Sequence, residues 1–175
     1  SVLENELKQH NHFIRKTNKG DNEIYIVTAH TAPNVMQEIG RLREIAFRAA
    51  GGGTGEPVDV DSYDTSLNCY SQLILYSPEY KEIIGGYRFI KGIASINSTT
   101  QLPELSTLNY FNLSEAFINN YLPYTIELGR SWIQPMFQKG EYARTGIFAL
   151  DNLWDGLGAL VVDNPEVKYL YGKVT

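Results

Sequence analysis

The chain has 175 residues, 43% hydrophobic and 20% charged, the make-up of one globular domain with a substantial core. Its formal charge of -5 argues against generic nucleic-acid binding, which wants a basic surface. Cys69 is the only cysteine, so no internal disulfide forms, and a reducing compartment, the cytoplasm, is expected. No apolar run approaches the ~18 residues of a membrane-spanning helix.

Residues 1–22 are polar and read as an N-terminal arm, with a short helix around Val2, Leu3 and Leu7. Residues 23–30 read as a strand, in which Ile24, Ile26 and Thr28 alternate with Tyr25, Val27 and Ala29. Pro33 suits a first helical position, and the helix runs to Ala50, before Gly51-Gly52-Gly53. Its polar stripe is Gln37, Arg41, Glu44 and Arg48; its apolar stripe is Ile39, Leu42, Ala46, Phe47 and Ala50. The glycines follow a helix, whereas phosphate loops precede one, so they read as a flexible loop. A loop over 54–66 carries Asp59, Asp61 and Asp64. Strands over 68–76 and 82–91 make an antiparallel hairpin about the turn 77–81. A polar loop over 92–107 and a short helix over 113–120, with Ser114 near its start, lead to a fourth strand over 124–133. A helix over 142–162 puts Ile147, Leu150, Leu153, Trp154, Leu157 and Val161 on its apolar face, with Trp154 in the core. Asp163-Asn164-Pro165 ends it, and 167–175 is a fifth strand.

A helix between the last two strands implies a parallel crossover, while the hairpin is antiparallel. The fold class is therefore α/β, a mixed α+β sheet with helices packed on it. A final strand needs something to cover or pair it. The domain over 23–175 therefore reads as incomplete at its C-terminal end.

Arg43 falls among the apolar helix positions, one turn from Ile39 and Phe47. A guanidinium facing a core costs several kcal/mol unless carboxylates or carbonyls meet it. Asp59, Asp61, Asp64 and Glu127 are the candidate partners, and Tyr63 in the acidic loop signals packing; the alternative for the aspartates is a solvated turn. Glu127 and Arg130 lie in an otherwise apolar strand. Residues three apart in a flat strand face opposite sides, so they share a side only if the strand bulges, and Gly129 is the natural place. Otherwise each is a strand-end charge meeting solvent. Gly85-Gly86 marks a second bulge or close backbone approach, with Arg88 two residues on, either exposed or part of the same network. No metal is expected: His10, His12 and His30 make no pattern with Cys69, and the aspartates lack the glycine and glutamate of a calcium loop.

Leu42-Arg43 with Phe47, Asp61-Ser-Tyr-Asp64, Gly85-Gly-Tyr-Arg88 and Glu127-Leu-Gly-Arg130 stand in the order found in acyl-homoserine-lactone synthases. They more closely resemble a sister group, the amino-acid N-acyltransferases that make ornithine or glycine lipids, often labelled hemolysin-like. Leu153-Trp-Asp-Gly156 and Tyr169-Leu-Tyr-Gly172 resemble that group too, so the likeness covers about 24–175. It implies a GNAT-type acyltransferase fold, whose last two strands splay so that the donor's pantetheine arm pairs with the open edge. It assigns Glu127 as general base for the acceptor's amine, with Asp61 as second candidate. Arg43, Phe47, Asp64, Arg88 and Arg130 would shape the acceptor site. Gly129, Ser131 and Trp132 would meet the donor, strand N–H groups near Gly129 stabilising the oxyanion. The segment 138–146 departs from the pyrophosphate loop of coenzyme A users, and Lys139 and Arg144 are placed to meet one phosphate. That favours acyl carrier protein over acyl-coenzyme A, with no tightly bound cofactor. The implied activity is transfer of a (3-hydroxy)fatty acyl group from acyl carrier protein to an amino acid's α-amine in aminolipid synthesis. The partners would be the carrier, the amino acid and, peripherally, the inner face of the membrane. The competing expectations are an acyl-homoserine-lactone synthase and a non-catalytic, hemolysin-like binding protein.

Overall fold

β-Branched and aromatic residues at alternating positions build a central sheet, and the computed structural model describes residues 1–9 and 11–173 around it. Its strands, in spatial and chain order, are β1 (Phe13–Lys16), β2 (Glu23–Val27), β3 (Ser71–Ser77), β4 (Glu82–Lys91), β5 (Thr125–Ile133) and β6 (Tyr169–Gly172). All neighbours are antiparallel except β5 and β6, which are parallel. The helices are α1 (Val2–Leu7), α2 (Pro33–Ala49), α3 (Ser62–Thr65), α4 (Glu115–Asn120) and α5 (Ala143–Asp163). The mixed sheet and its crossover helix are as the sequence implies.

Helices cover both faces. On one, Val35, Ile39 and Leu42 of α2 pack with Tyr25, Val27, Ile74, Tyr76 and Trp132. On the other, Ala149, Leu153 and Leu160 of α5 pack with Ile24, Leu73, Leu75, Phe89 and Ile126. A smaller core of Tyr70, Ile90, Leu105 and Leu122 lies beneath the 92–124 connection. The long polar loop is thus anchored by buried Leu105 and Thr107 rather than free.

Three sequence expectations need correction. The N-terminal arm is part of the fold: α1, held by a Ser1–Glu4 capping box, packs against α2, and β1 pairs with β2. A four-residue strand with one half-buried side chain, Ile14, has too short a pattern to read. Trp154 is 71% exposed, with Ile147, Leu150 and Val161 beside it at the surface. α5 instead buries the neighbouring stripe of Gly146, Ala149, Leu153, Gly156 and Leu160. Small residues let the helix approach closely: a Cβ on Gly146 would collide with the Phe137 carbonyl, and one on Gly156 would lie 2.9 Å from Leu73. The glycine loop after α2 is tethered: the buried Glu44 carboxylate accepts from the Thr54 N–H and hydroxyl, at 2.8 and 2.7 Å, and from the Gly55 N–H at 2.9 Å. The final strand is described to Gly172; Val174 and Thr175 of the expected strand, and His10, lie outside the described residues.

Candidate functional site

The β4–β5 ladder contains the feature on which the site depends. Gly86 pairs with Trp132 and Arg88 with Gly129, so Arg130 and Ser131 together oppose Tyr87. This is a bulge, and Arg130 takes a left-handed φ of 50°. The bulge turns Arg130 to the α2 face, where Glu127 also lies, as the spacing around Gly129 suggests.

On that face three guanidiniums and three carboxylates form a closed ring of alternating charge. Arg43 of α2 donates from Nε to Asp59 and from Nη1 to Asp64, both at 3.2 Å. Arg88 of β4 reaches Asp64 at 3.2 Å and Asp61 at 2.8 Å. Arg130 of β5 closes it, 3.2 Å from Asp59 and 3.5 Å from Asp61. Local sequence sets the acids: Asp61 is the N-cap of α3 and Asp64 its third residue, each carboxylate accepting the other's backbone N–H in a capping box. Gln72 donates to Asp64 at 2.9 Å. Burial pushes the Asp64 carboxyl up, but Arg43 and Arg88 outweigh it and hold it below the ordinary value. Burial likewise opposes the charge on Arg88, and Asp64 and Asp61 more than restore it.

The ring is sealed on one side and open on the other. Arg43, Asp59 and Asp64 are buried, whereas Arg130 and Asp61 are 34% and 31% exposed. The Phe47 ring lies 5.9 Å from the Arg130 guanidinium, while Tyr63 and Tyr70 flank that of Arg88 at 5.6 and 4.9 Å.

Glu127 stands apart from the ring, which corrects its expected pairing with Arg43. Only 1% exposed, it carries no ion pair among the described residues. Three hydroxyls hold it instead: Tyr70 at 2.6 Å and Ser106 at 2.8 Å donate to Oε1, and Thr107 at 2.7 Å to Oε2. Burial and the adjacent Glu127 charge push the Tyr70 phenol up. The Tyr70 ring faces Arg88, so one side chain joins the hydroxyl cage to the ion ring. Sequence reasoning missed Tyr70, Ser106 and Thr107. The one available signal was a hydroxyl pair, Ser106-Thr107, inside a polar loop, and such pairs are common on surfaces.

The remaining predicted residues lie along β5 and at the start of α5. β6 pairs with β5 only from Thr125 to Leu128, so the outer edge of 129–133 has no strand partner among the described residues. Ser131 is exposed on this edge, while the Trp132 side chain is buried on the α2 side, leaving only its backbone to face a ligand. Exposed Lys139 and Arg144 flank the N-terminus of α5, which has no side-chain cap and no acidic residue in its first turn. Such an end carries partial positive charge, although the Ala143 N–H is already donated to the Gly140 carbonyl. None of the described helices is long and apolar enough to cross a membrane.

A mixed sheet covered on both faces, with a bulged strand whose edge lies open near a basic helix start, defines an α/β domain of the acyltransferase type. Residues 42–146 match the family described as the acetyltransferase (GNAT) domain, and the chain belongs to that family. It is 55% identical to a protein of Phocaeicola vulgatus and 57% identical to one of Bacteroides thetaiotaomicron, each over 162 residues or 93% of this chain. Both relatives are named glycine N(alpha)-acyltransferase. The matches take in 50% and 48% of those proteins, so the chain spans about half the length of the curated relatives it matches. No solved structure matches.

Proposed function

We propose that the chain is the acyl-transfer domain of an amino-acid N-acyltransferase that moves a (3-hydroxy)fatty acyl group from acyl carrier protein to an α-amine, with glycine the first acceptor to test, in aminolipid synthesis at the cytoplasmic side of the membrane. The reaction joins the amine nitrogen to the thioester carbonyl and releases the carrier's thiol and a proton. The observation that carries this reading is a buried carboxylate caged by hydroxyls beside an ion ring, next to an unpaired strand edge.

Glu127 serves as the base. Among the described residues its oxygens meet only neutral hydroxyls, whereas those of Asp61, the second candidate, are engaged by Arg88, Arg130 and the Asp64 N–H. Of the three hydroxyls on Glu127, Ser106 is the one whose residue is not itself buried. It takes the ammonium proton on its oxygen while passing its own to Glu127. The free amine attacks the thioester, and N–H groups of β5 near Gly129 receive the oxyanion. The pantetheine amides pair along 129–133, with Ser131 at their side. Lys139, Arg144 and the α5 N-terminus take the phosphate. A single phosphate on an acidic carrier suits this basic pair better than a pyrophosphate suits the loop.

Lipid mass spectrometry of a host lacking aminolipids, expressing the complete protein, tests the reading. New N-acylated amino-acid lipids are the expected outcome. An unchanged profile, with soluble protein and carrier supply verified, counts against it.

A further inference from the structure

Four glycines stand inside strands: Gly85 and Gly86 in β4, Gly129 in β5 and Gly172 in β6. Three are pressed by neighbours. A Cβ on Gly85 would lie 2.5 Å from the Trp132 carbonyl oxygen, and one on Gly172 would lie 2.6 Å from that of Leu128. One on Gly86 would collide with the Leu73 carbonyl. Gly129 differs. A Cβ there would meet only Arg88, with Nε at 3.9 Å and Cγ at 4.0 Å, and its φ is not left-handed. Neither packing nor backbone conformation calls for glycine at this position, and glycine weakens a strand. The adjacent bulge is made by Arg130 and Ser131, while Gly129 pairs regularly with Arg88, so the remaining reason for its glycine is close approach by a ligand.

The groups around this open ground name the ligand's chemistry. Arg88 is the cross-strand neighbour of Gly129; its Nε–H is buried without a hydrogen-bond partner among the described residues, although its side chain is 4% exposed. A buried unpaired N–H on a charged group is costly, so it calls for an acceptor. Arg130, the next residue, exposes part of its guanidinium on the same face. Two cationic donors over a bare strand suit a carboxylate. Glu127 lies two residues back on that face, roughly 7 Å along the strand. The amine of an α-amino acid, one carbon from its carboxylate, falls between them. The ring's three positive and three negative charges already balance, so a zwitterion adds no net charge to it.

We infer that Gly129 is the floor of the acceptor pocket and that the acceptor's carboxylate lies over it, bound by the Arg88 Nε–H and the exposed edge of Arg130. This rests on the amino-acid N-acyltransferase reading and assigns the specificity of that same site: an α-amino acid is taken because of its carboxylate, and simple amines are refused.

The test uses the complete protein with an acyl-carrier thioester and three acceptors: glycine, glycinamide and methylamine. Glycine is expected to exceed both others in kcat/KM by about tenfold or more. Gly129→Ala has room for its methyl group, so it should melt with the wild type. It should raise KM for glycine by about tenfold and narrow the lead of glycine over glycinamide. Equal use of glycine and glycinamide overturns the inference. So does a Gly129→Ala protein with unchanged KM for glycine, or one impaired equally toward both acceptors. Failure to acylate any amine, with folded protein and intact thioester, sinks the acyl-transfer reading itself, a result distinct from acylation without preference.

Discussion

At the scale of single residues, the account turns on how two kinds of buried carboxylate are held. Asp64 is met by guanidiniums, Glu127 by hydroxyls. Arg43 is fully buried and holds two of the ring's acids, so removing it leaves Asp59 to Arg130, and Asp64 to Arg88 and Gln72, with one buried negative charge in excess. Arg43→Met should cost about 3–5 kcal/mol in urea unfolding. A loss under about 1 kcal/mol would mean that the ring reorganises easily and is not a rigid support for the site. Much of this was readable in advance: a guanidinium on an apolar helix face needs acids, and Asp59, Asp61 and Asp64 were the acids within reach. The bulge was readable too, because Gly129 sits between two charges that a flat strand would separate. The isolation of Glu127 was not readable. It depends on a phenol at the entrance to β3 and two hydroxyls from an aperiodic loop, meeting across 20 to 57 residues of chain.

Among the elements, α2 and α5 show why pattern alone has limits. α2 follows its periodicity closely, with Pro33 at its start as expected. Its nominally polar stripe, however, contains Glu44, which is buried and tethers the loop that follows. The bonds from Thr54, Arg48 and Gly55 overcome burial and hold the Glu44 carboxyl at about 2, against an ordinary 4.5. A carboxylate with a depressed folded value stabilises the fold above the unfolded value and loses that contribution as pH falls through the folded one. The tether should therefore be at full strength above pH 4.5 and fade between 4.5 and about 2. Asp64, also depressed, adds a loss in the same direction below its ordinary 3.8. The gap in urea midpoint between wild type and Glu44→Gln should be plain at pH 6 and close towards pH 2; a gap independent of pH would contradict the tether. In α5, two adjacent stripes compete for the sheet. The sequence favours the larger apolar side chains, but the stripe that packs is the one whose glycines and alanine let the backbone come close.

At the scale of the whole molecule, the layout separates two tasks. The α2 face of the sheet carries the ring, the hydroxyl cage and the open ground over Gly129; the α5 start carries Lys139 and Arg144. β5 supplies Arg130 to the ring and Glu127 to the cage, and its outer edge over 129–133 has no strand partner among the described residues. In the function proposed, an amine and a thioester brought to opposite sides of this strand would meet at its bulge, which makes the proposal acyl transfer rather than binding alone. On α5, beside Asp151 and Asp155, which hold Lys19 and Asn18, the stripe of Ile147, Leu150, Trp154 and Val161 is exposed. Thiol release from an acyl-carrier thioester by the complete protein, with and without glycine and beside Glu127→Gln, probes the role of this carboxylate head-on. The account predicts release that depends on glycine and a fall in kcat of about 100-fold or more in the variant, at an unchanged melting temperature. Release that ignores the amino acid, or a folded Glu127→Gln protein as fast as the wild type, would contradict it.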